Sequence, residues 1–192
     1  ILEYYLGKPS IAITELALKP EVDVRRFDGG PGLYKFAYRS IRGDNVLDFN
    51  DVLDKLTMSN ERNMFIINIL VSLGERNVLI LSKRRQHTEY LYRYYKALKP
   101  DEDVRIIMGG IKKKDLEAAR HVEEGQKSLR IFGTTAACGE GFDVSVLDTL
   151  FFATPCTTVQ QEVGRVLRKK QEGITPLVID IVDACGPMYA QF

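Results

Sequence analysis

The stretch Val78-Leu-Ile-Leu-Ser-Lys-Arg-Arg-Gln-His-Thr-Glu-Tyr-Leu-Tyr-Arg-Tyr-Tyr-Lys-Ala-Leu98 joins a short apolar run to an amphipathic segment of helical length. Four consecutive apolar residues suit a strand that is buried on both faces. In the segment that follows, Leu91, Tyr95 and Leu98 recur at the spacing of one helix face. A strand followed directly by a helix is the repeating unit of parallel α/β sheets, so this stretch predicts a βα unit with its helix at 85–98.

The same alternation continues along the rest of the chain. Further apolar runs predict strands at 104–108, 129–132, 147–152 and 177–182, and amphipathic segments predict helices at 113–124 and 157–169. Upstream, 22–27 alternates like an edge strand, 28–32 is typical of a turn, and 60–73 indicates a helix with Phe65, Ile69 and Leu73 on one face. The prediction is an α/β fold, doubly wound, with a mainly parallel sheet flanked by helices.

Length and composition suit one domain over residues 21–192, preceded by a connector at 1–20 that leads from a further lobe. With 192 residues and 45% hydrophobic content, the chain can build a core. Lys and Arg number 27 against 26 Asp and Glu, so attraction to nucleic acid must come from local clusters. Three basic triplets stand out: Lys83-Arg84-Arg85, Lys112-Lys113-Lys114 and Arg168-Lys169-Lys170.

Several classes of protein are disfavoured by the sequence. Cys138, Cys156 and Cys185 are odd in number and widely spaced, which indicates neither a disulfide framework nor a zinc site. No signal peptide and no apolar run of membrane-spanning length is visible. The expectation is a soluble protein of a reducing intracellular compartment, with no membrane partner and no metal site of its own.

The segment 157–169 separates two kinds of side chain when placed on a helix of 3.6 residues per turn. The apolar face carries Val159, Val163, Val166 and Leu167. The opposite stripe carries Gln161, Gly164, Arg165 and Arg168. A glycine between two arginines leaves space for both guanidiniums to bind phosphate, which indicates a face that meets a ligand.

Polar and glycine residues follow the strands where parallel sheets bind ligands, at the carboxyl ends. The first strand is followed by Ser82-Lys83-Arg84, the next by Gly109-Gly110-Ile111-Lys112, and the third by Gly133-Thr134-Thr135. Each group has a structural alternative, because glycines form turns and hydroxyls cap helices. Taken together, they predict binding of a nucleic-acid phosphate backbone at this edge.

These groups occur in the order of the motifs of superfamily 2 helicases, which the chain resembles over residues 77–183. Val78–Ser82 resembles motif IV, and Gly109-Gly110 occupies the place of the next nucleic-acid-contacting motif. Thr135 with Gly141-Phe142-Asp143 resembles motif V, and Gln161-x-x-Gly164-Arg165-x-x-Arg168 resembles motif VI. The resemblance implies the second RecA-like lobe of a two-lobed, ATP-driven motor.

The resemblance also implies a role for each motif residue. Arg168 would be the arginine finger and Arg165 its companion; Gln161, Gly141 and Asp143 would contribute to the ATP site, with Asp143 at the ribose. The nucleic-acid strand would be held by Ser82, Arg84, Gly109, Gly110, Lys112, Thr134 and Thr135. Asp180 and Asp183, late on the last strand, are interpreted instead as polar residues that close the sheet end.

Departures from the pattern narrow the group. Glu162 and Leu167 stand where DEAD-box and DEAH-box helicases have Arg and Gly, and Gln161 replaces the DEAD-box His. Glu140-Gly-Phe-Asp143 and Asn60-Glu-Arg-Asn63 resemble the DNA-directed group that includes XPB, UvsW and the poxvirus transcript-release helicases. The resemblance extends to helicases of large cytoplasmic DNA viruses of the African swine fever virus type. It therefore implies that the protein acts in the host cytoplasm or is carried in the virion.

The chain contains neither a Gly-x-x-x-x-Gly-Lys-Ser/Thr loop nor an Asp-Glu pair after a strand. ATP and Mg²⁺ would therefore be held mainly by an N-terminal RecA-like lobe, and the chain alone would not hydrolyse ATP. The expected partners are that lobe and DNA, as single strand, duplex or DNA–RNA hybrid. Two alternatives remain open: a non-catalytic nucleic-acid-binding or scaffolding module, and a translocase that moves along duplex without separating it.

Overall fold

The computed structural model describes residues 20–111, 113–123, 125–139, 142, 144–156, 163 and 173–184. The strands are β1 (Glu21–Phe27), β2 (Tyr38–Ile41), β3 (Asp44–Leu47), β4 (Val78–Ser82), β5 (Val104–Ile107), β6 (Arg130–Thr134), β7 (Thr149–Phe152) and β8 (Leu177–Asp183). The helices are α1 (Gly30–Leu33), α2 (Phe49–Met58), α3 (Asn60–Ser72), α4 (Arg85–Leu98) and α5 (Lys113–Arg120).

Six of these strands form one parallel sheet in the order β1-β8-β7-β4-β6-β5. The strands follow the predicted apolar runs, and β1 lies at the sheet edge as its alternation indicates. The crossover helices cover both faces, because every parallel connection must leave the sheet plane and return. The predicted doubly wound α/β fold is confirmed.

Alternate residues of the central strands enter two separate core layers. Val78 and Ile80 of β4 pack in the layer that contains Ile66, Leu70, Leu91, Tyr95, Phe132 and Ile179. Leu79 and Leu81 enter the other layer, together with Ile131, Leu150, Phe152, Phe142, Val163 and Val178. This two-sided burial explains why β4 is apolar from Val78 to Leu81 rather than alternating.

Helix α4 has the predicted bounds, and two of the three residues assigned to its packed face are confirmed. Leu91 and Tyr95 are fully buried. Leu98 is 50% exposed, so its assignment to that face is wrong; it is the last residue of the helix, and the buried stripe ends one turn earlier.

The buried face of α3 differs from the predicted one. Its most deeply buried apolar residues are Ile66, Ile67 and Leu70, and the same helix also buries Arg62 and Asn63. Of the three residues predicted on one face, Ile69 is buried, and Phe65 and Leu73 are partly buried and pack against the same core layer. Because two polar residues belong to the buried face, a count of apolar residues alone pointed to a neighbouring stripe.

Residues 28–58 form a small unit that the sequence patterns did not reveal. The segment predicted as a turn is partly wrong, because α1 begins within it, with Pro in its first turn. Strands β2 and β3 form an antiparallel hairpin whose turn places Arg42 and Gly43 at positive φ. Helix α2 buries Val52 and Leu56 against apolar residues of this unit, which include Leu33, Phe36, Leu47 and Phe49.

The amino end of the sheet is closed by buried polar side chains. The Asn77 side chain accepts the N–H of Leu129 at 3.0 Å and donates to the carbonyl of Val146 at 3.0 Å. Its backbone N–H donates to Asp148 at 2.9 Å. Arg130, fully buried, donates to the carbonyl of Gly74 at 2.7 Å. Apart from Nε of Arg130, which lies 4.0 Å from the Glu102 carboxylate and has no hydrogen-bond partner among the described residues, these groups are bonded within the protein. Such internal bonding indicates a structural role for this end of the sheet.

Two predicted segments lie mostly outside the described residues. The connector at 1–20 is described only at residue 20, and the helix at 157–169 only at Val163. Val163 has helical backbone, is 8% exposed and packs in the second core layer, as its place on the apolar face predicts. In the part of the chain that the structure describes, no helix has the length and apolar content needed to cross a membrane.

Candidate nucleic-acid interface and nucleotide site

Three adjacent strands end at one edge with the residues predicted to bind nucleic acid. Ser82 at the end of β4 is the register partner of Thr134 at the end of β6. On the other side of β6, Ile107 of β5 pairs with Gly133, and Gly109-Gly110 follows. Neighbouring strands lie about 4.8 Å apart, so the structure brings these residues together.

The turn after β6 carries the Thr135 hydroxyl, for which the described residues supply no hydrogen bond. The Thr134 carbonyl accepts the N–H groups of Ala137 at 2.9 Å and Cys138 at 3.0 Å, which forms a turn. The Thr134 hydroxyl also accepts the Ala137 N–H at 3.3 Å, so this side chain caps the turn as the structural alternative predicted, although no helix follows it. The N–H of Thr135 donates to the Ser82 carbonyl at 3.0 Å. Within the described residues the Thr135 hydroxyl has no partner, and the residue is partly exposed, so this hydroxyl is available to a phosphate.

Close packing fixes the shape of that turn. A Cβ atom at Gly133 would lie 2.3 Å from Sγ of Cys138, so a side chain there would push the turn open. Phe142 and Val144, which flank Asp143 in sequence, are both buried in the second core layer and anchor the segment after the turn.

Ser82 lies beneath the interface rather than on it. The residue is 1% exposed, and its Oγ accepts the N–H of Arg84 at 3.1 Å and lies 2.9 Å from Nδ1 of His87. These bonds shape the loop that follows β4. A direct contact between this hydroxyl and a strand remains a prediction, whereas the geometry gives Ser82 a positioning role.

A buried relay connects this loop to α3. Nδ2 of Asn63 donates to the Thr57 carbonyl at 2.9 Å, so its Oδ1 faces Nε2 of His87 at 2.8 Å. Because Oδ1 can only accept, Nε2 carries the proton, and Nδ1 accepts from the Ser82 hydroxyl. His87 is 3% exposed; burial first, and the positive charge of Arg62 second, lower its pKa to about 3.

We expect His87 to make folding stability depend on pH. In the unfolded chain the imidazole has its ordinary pKa of 6.5 and is protonated below that pH. In the folded chain it stays neutral down to about pH 3. The free energy of unfolding therefore falls as the pH drops through this window, by up to about 1.4 kcal/mol per pH unit. Urea unfolding of wild type and His87→Gln between pH 7.5 and 4 measures the effect.

The comparison with the variant is needed because Asp180 acts in the opposite direction. Burial raises the pKa of this carboxyl to about 6, so folding favours its protonation below that pH. Asp180 is unchanged in His87→Gln, and the difference between the two curves isolates the imidazole. A difference that stays constant with pH would contradict a neutral, buried His87.

The basic residues of the loop after β4 have distinct surroundings. Nε of Arg84 lies 2.9 Å from Asp54, and its Nη2 donates to the carbonyl and side chain of Asn50 at 3.1 Å. This guanidinium holds α2 against the loop, and its contact with nucleic acid remains a prediction. The Lys83 ammonium lies 5.0 Å from the centre of the Phe49 ring.

Arg85 is a candidate that the sequence interpretation did not single out. It is exposed, and no acidic side chain among the described residues forms an ion pair with it. Its Nη1 lies 3.7 Å from the position that a Cβ would take at Gly110, whose φ is +84°. The basic triplet Lys83-Arg84-Arg85 indicated a candidate phosphate contact in this loop. The sequence alone did not show which of its members would have no acidic partner among the described residues.

A buried ion pair holds the carboxyl ends of β7 and β8. Nε and Nη2 of Arg62 donate to the two carboxylate oxygens of Asp183 at 2.8 and 3.1 Å, and Nη1 donates to the Ala153 carbonyl at 2.8 Å. Asp183 is thus more than a polar residue at the sheet end. The pair ties α3 to the carboxyl ends of β7 and β8.

The remaining site predictions lie outside the described residues. They are Lys112 at the interface and Gly141, Asp143, Gln161, Arg165 and Arg168 at the nucleotide site. Their roles remain predictions. Within the described ranges, no group of three or more His, Cys, Asp or Glu side chains is placed to hold a metal ion.

Two curated viral proteins are similar to the chain in sequence. Putative ATP-dependent RNA helicase L396 of Acanthamoeba polyphaga mimivirus is 30% identical over 191 residues, which cover 95% of this chain. Putative helicase 161L of Invertebrate iridescent virus 6 is 27% identical over 146 residues, or 71% of this chain. The chain spans about a third of each relative, 35% and 33% of their lengths. No protein-family model matches the sequence.

Solved structures share the fold. T4 UvsW aligns over 86% of this chain and 32% of its own, at 20% identity and a TM-score of 0.64. Domain 2 of the DEAD-box helicase Mss116p, bound to an RNA duplex, aligns over 65% of this chain and 50% of its own, at 11% identity and a TM-score of 0.52. At sequence identities this low, the structural similarity shows a shared fold and nothing about function.

The parallel sheet, with polar turns at one edge, therefore has the RecA-like α/β fold that T4 UvsW and domain 2 of the DEAD-box helicase Mss116p share. The sequence relatives of the chain are viral putative helicases. The recognition made from motifs IV, V and VI is confirmed at this level.

Proposed function

We propose that the chain is the second motor lobe of an ATP-dependent superfamily 2 helicase or translocase that acts on DNA. In this role it binds the phosphate backbone at the ends of β4, β6 and β5 and supplies Arg165 and Arg168 to ATP. The observation that carries the proposal is the convergence of Ser82, Thr134-Thr135 and Gly109-Gly110 at one sheet edge in a helicase-type domain.

The groups at this interface are suited to binding the phosphate backbone of a nucleic acid rather than to recognising its base sequence. The Thr135 hydroxyl is available, Gly109 and Gly110 allow close approach of a strand, and Lys112 adds a positive charge next to that turn. Hydroxyls, amides and cations bind phosphate oxygens without reading bases. The lobe would therefore hold successive phosphates as a motor advances.

The nucleotide side requires a second lobe. Asp183 is bound by Arg62 and is not a free ligand for Mg²⁺, so the described residues do not fit a metal site there. ATP and Mg²⁺ would be held mainly by the N-terminal RecA-like lobe, with Gln161, Gly141 and Asp143 completing the nucleotide site. Arg165 and Arg168 would stabilise the charge that develops on the transferred phosphoryl group.

Hydrogen bonds couple the two sides within the lobe. The N–H of Lys83 donates to Oγ1 of Thr154 at 3.0 Å, and the N–H of Ala153 donates to the Leu81 carbonyl at 2.9 Å. The start of the segment that leads to Arg165 and Arg168 is thus bonded to the loop that supports the phosphate contacts. Closure and opening of the lobes around ATP would move both groups as one body.

The test of the function is ATP hydrolysis by the full-length protein, measured without nucleic acid and with single-stranded DNA, duplex DNA, RNA and DNA–RNA hybrid. Stimulation by DNA supports the proposal as stated. Stimulation by RNA alone would change the substrate to that in the name of the mimivirus relative. Strand binding without any stimulated hydrolysis would instead support a non-catalytic module.

We expect the double variant Lys112→Glu with Thr134→Ala to weaken single-strand binding and to flatten its salt dependence. Removing one phosphate contact lowers the slope of log K against log salt by about 0.7 for single strands. Fluorescence anisotropy at four salt concentrations measures both quantities. Lys127→Glu is the charge-matched control, because Lys127 pairs with Glu75 away from the interface. Affinity and slope equal to the control would return Lys112 and Thr134 to structural roles.

A further inference from the structure

A groove of about 450 Å³ lies beside the proposed interface, where the end of α2 and the start of α3 face the first turns of α4. Met58 and Asn60 line one side, and Arg85, Gln86 and Tyr90 line the other. Its volume lies within the roughly 300–1,000 Å³ typical of ligand pockets. The hydrogen-bonded pair Asn63 and His87 also contributes to the lining.

The groove combines apolar surface with the positive charge of Arg85. Met58 is 73% and Tyr90 40% exposed, which is unusual for large side chains that share one concave surface. Asp54 is the acidic member of the lining and is paired with Arg84. Arg85 has no acidic partner in the described part of the chain, so the groove attracts an anion with an apolar, planar component.

The Tyr90 ring is held in a defined orientation. It stacks on Tyr94, one turn later on α4, with ring centres 6.2 Å apart and an angle of 30° between the planes. A pre-oriented, exposed aromatic ring loses little freedom when a base stacks on it.

The groove is continuous with the phosphate-binding edge. Arg85, which lines it, reaches to within 3.7 Å of the Cβ position at Gly110. A strand bound at Gly109-Gly110 would therefore lie beside the Arg85 guanidinium, and Tyr90 lines the groove on the same helix as Arg85.

We propose that this groove is an additional binding site for single-stranded nucleic acid, in which Arg85 binds a phosphate and Tyr90 stacks on a base. The inference rests on the proposed function and extends the interface beyond the motif residues. An aromatic ring next to a cation is the arrangement that binds single strands without sequence preference.

The test compares anisotropy titrations of the full-length protein with dT and rU oligonucleotides. Arg85→Met and Tyr90→Ala should each weaken binding by about tenfold, as expected for one stacking or phosphate contact. Tyr90→Phe keeps the ring and should bind within twofold of wild type. Arg93→Met is the matched control, because Arg93 lies on the same helix and pairs with Glu89. The substituted residues are exposed or partly exposed, and unchanged thermal unfolding will confirm that the variants fold.

Photo-crosslinking identifies the contact directly. An oligonucleotide with 5-iodo-uracil bases should give a cross-link that mass spectrometry assigns to Tyr90 or Tyr94. Wild-type affinity in Arg85→Met and Tyr90→Ala, without a cross-link on α4, overturns the groove proposal alone, provided that Thr135→Ala weakens binding. Absence of strand binding by the wild type would overturn the proposed function and the groove with it.

Discussion

Arg168→Ala in the full-length protein is expected to lower nucleic-acid-stimulated ATP hydrolysis by about 10³–10⁵-fold, the range measured for arginine fingers. An arginine finger acts on charge that develops only as the phosphoryl group is transferred, so losing the proposed finger should reduce the rate of hydrolysis far more than binding of the strand. Single-strand affinity should therefore stay within a few-fold of wild type.

Two further variants sharpen this test. Arg168→Lys keeps the charge but loses the planar fork, and should remain strongly impaired if bidentate phosphate contact matters. Lys169→Ala removes a neighbouring charge and should hydrolyse ATP at nearly the wild-type rate. The measurement is steady-state ATPase with saturating DNA, and equal rates in wild type and Arg168→Ala would remove the finger assignment.

The strands and α4 could be predicted because the spacing of apolar residues within each element indicates which of its faces are buried. The run from Val78 to Leu81 is apolar because both faces of the strand enter core layers, and α4 shows its packed stripe through Leu91 and Tyr95. The order of the motifs was also visible, since each one follows a strand. These features depend on neighbours within one or two elements.

The features that were missed depend on distant partners. Arg62 and Asp183 are 121 residues apart in the sequence. The residues around each of them do not indicate that both charges are buried. Arg84 and Arg85 are adjacent in one basic triplet, yet Asp54 pairs with Arg84, and no acidic side chain of the described ranges pairs with Arg85. Ser82 has the position of a phosphate ligand, but its hydroxyl is bound internally by the first turn of the next helix. Only packing decides such cases.

Arg62→Met is expected to lower the free energy of unfolding of the 192-residue chain by about 3–5 kcal/mol, the cost of leaving one partner of a buried ion pair alone. Both side chains of the pair are fully buried, and the substitution also removes the donor to the Ala153 carbonyl. Arg25→Met is the matched control. Its pair with Asp23 is half exposed and should contribute no more than about 1 kcal/mol.

Urea unfolding of both variants measures the difference, and similar reductions would contradict a desolvated Arg62–Asp183 pair. Adding Asp183→Asn to Arg62→Met removes the stranded charge, so the double variant should recover part of the stability. That recovery measures how much of the loss of stability comes from the unpaired Asp183 charge.

The double variant still lacks the hydrogen bond from Arg62 of α3 to the Ala153 carbonyl. Ala153 precedes Thr154, whose side chain accepts the Lys83 N–H. If this bond positions the segment leading to the proposed fingers, a folded double variant should bind strands normally and hydrolyse ATP more slowly.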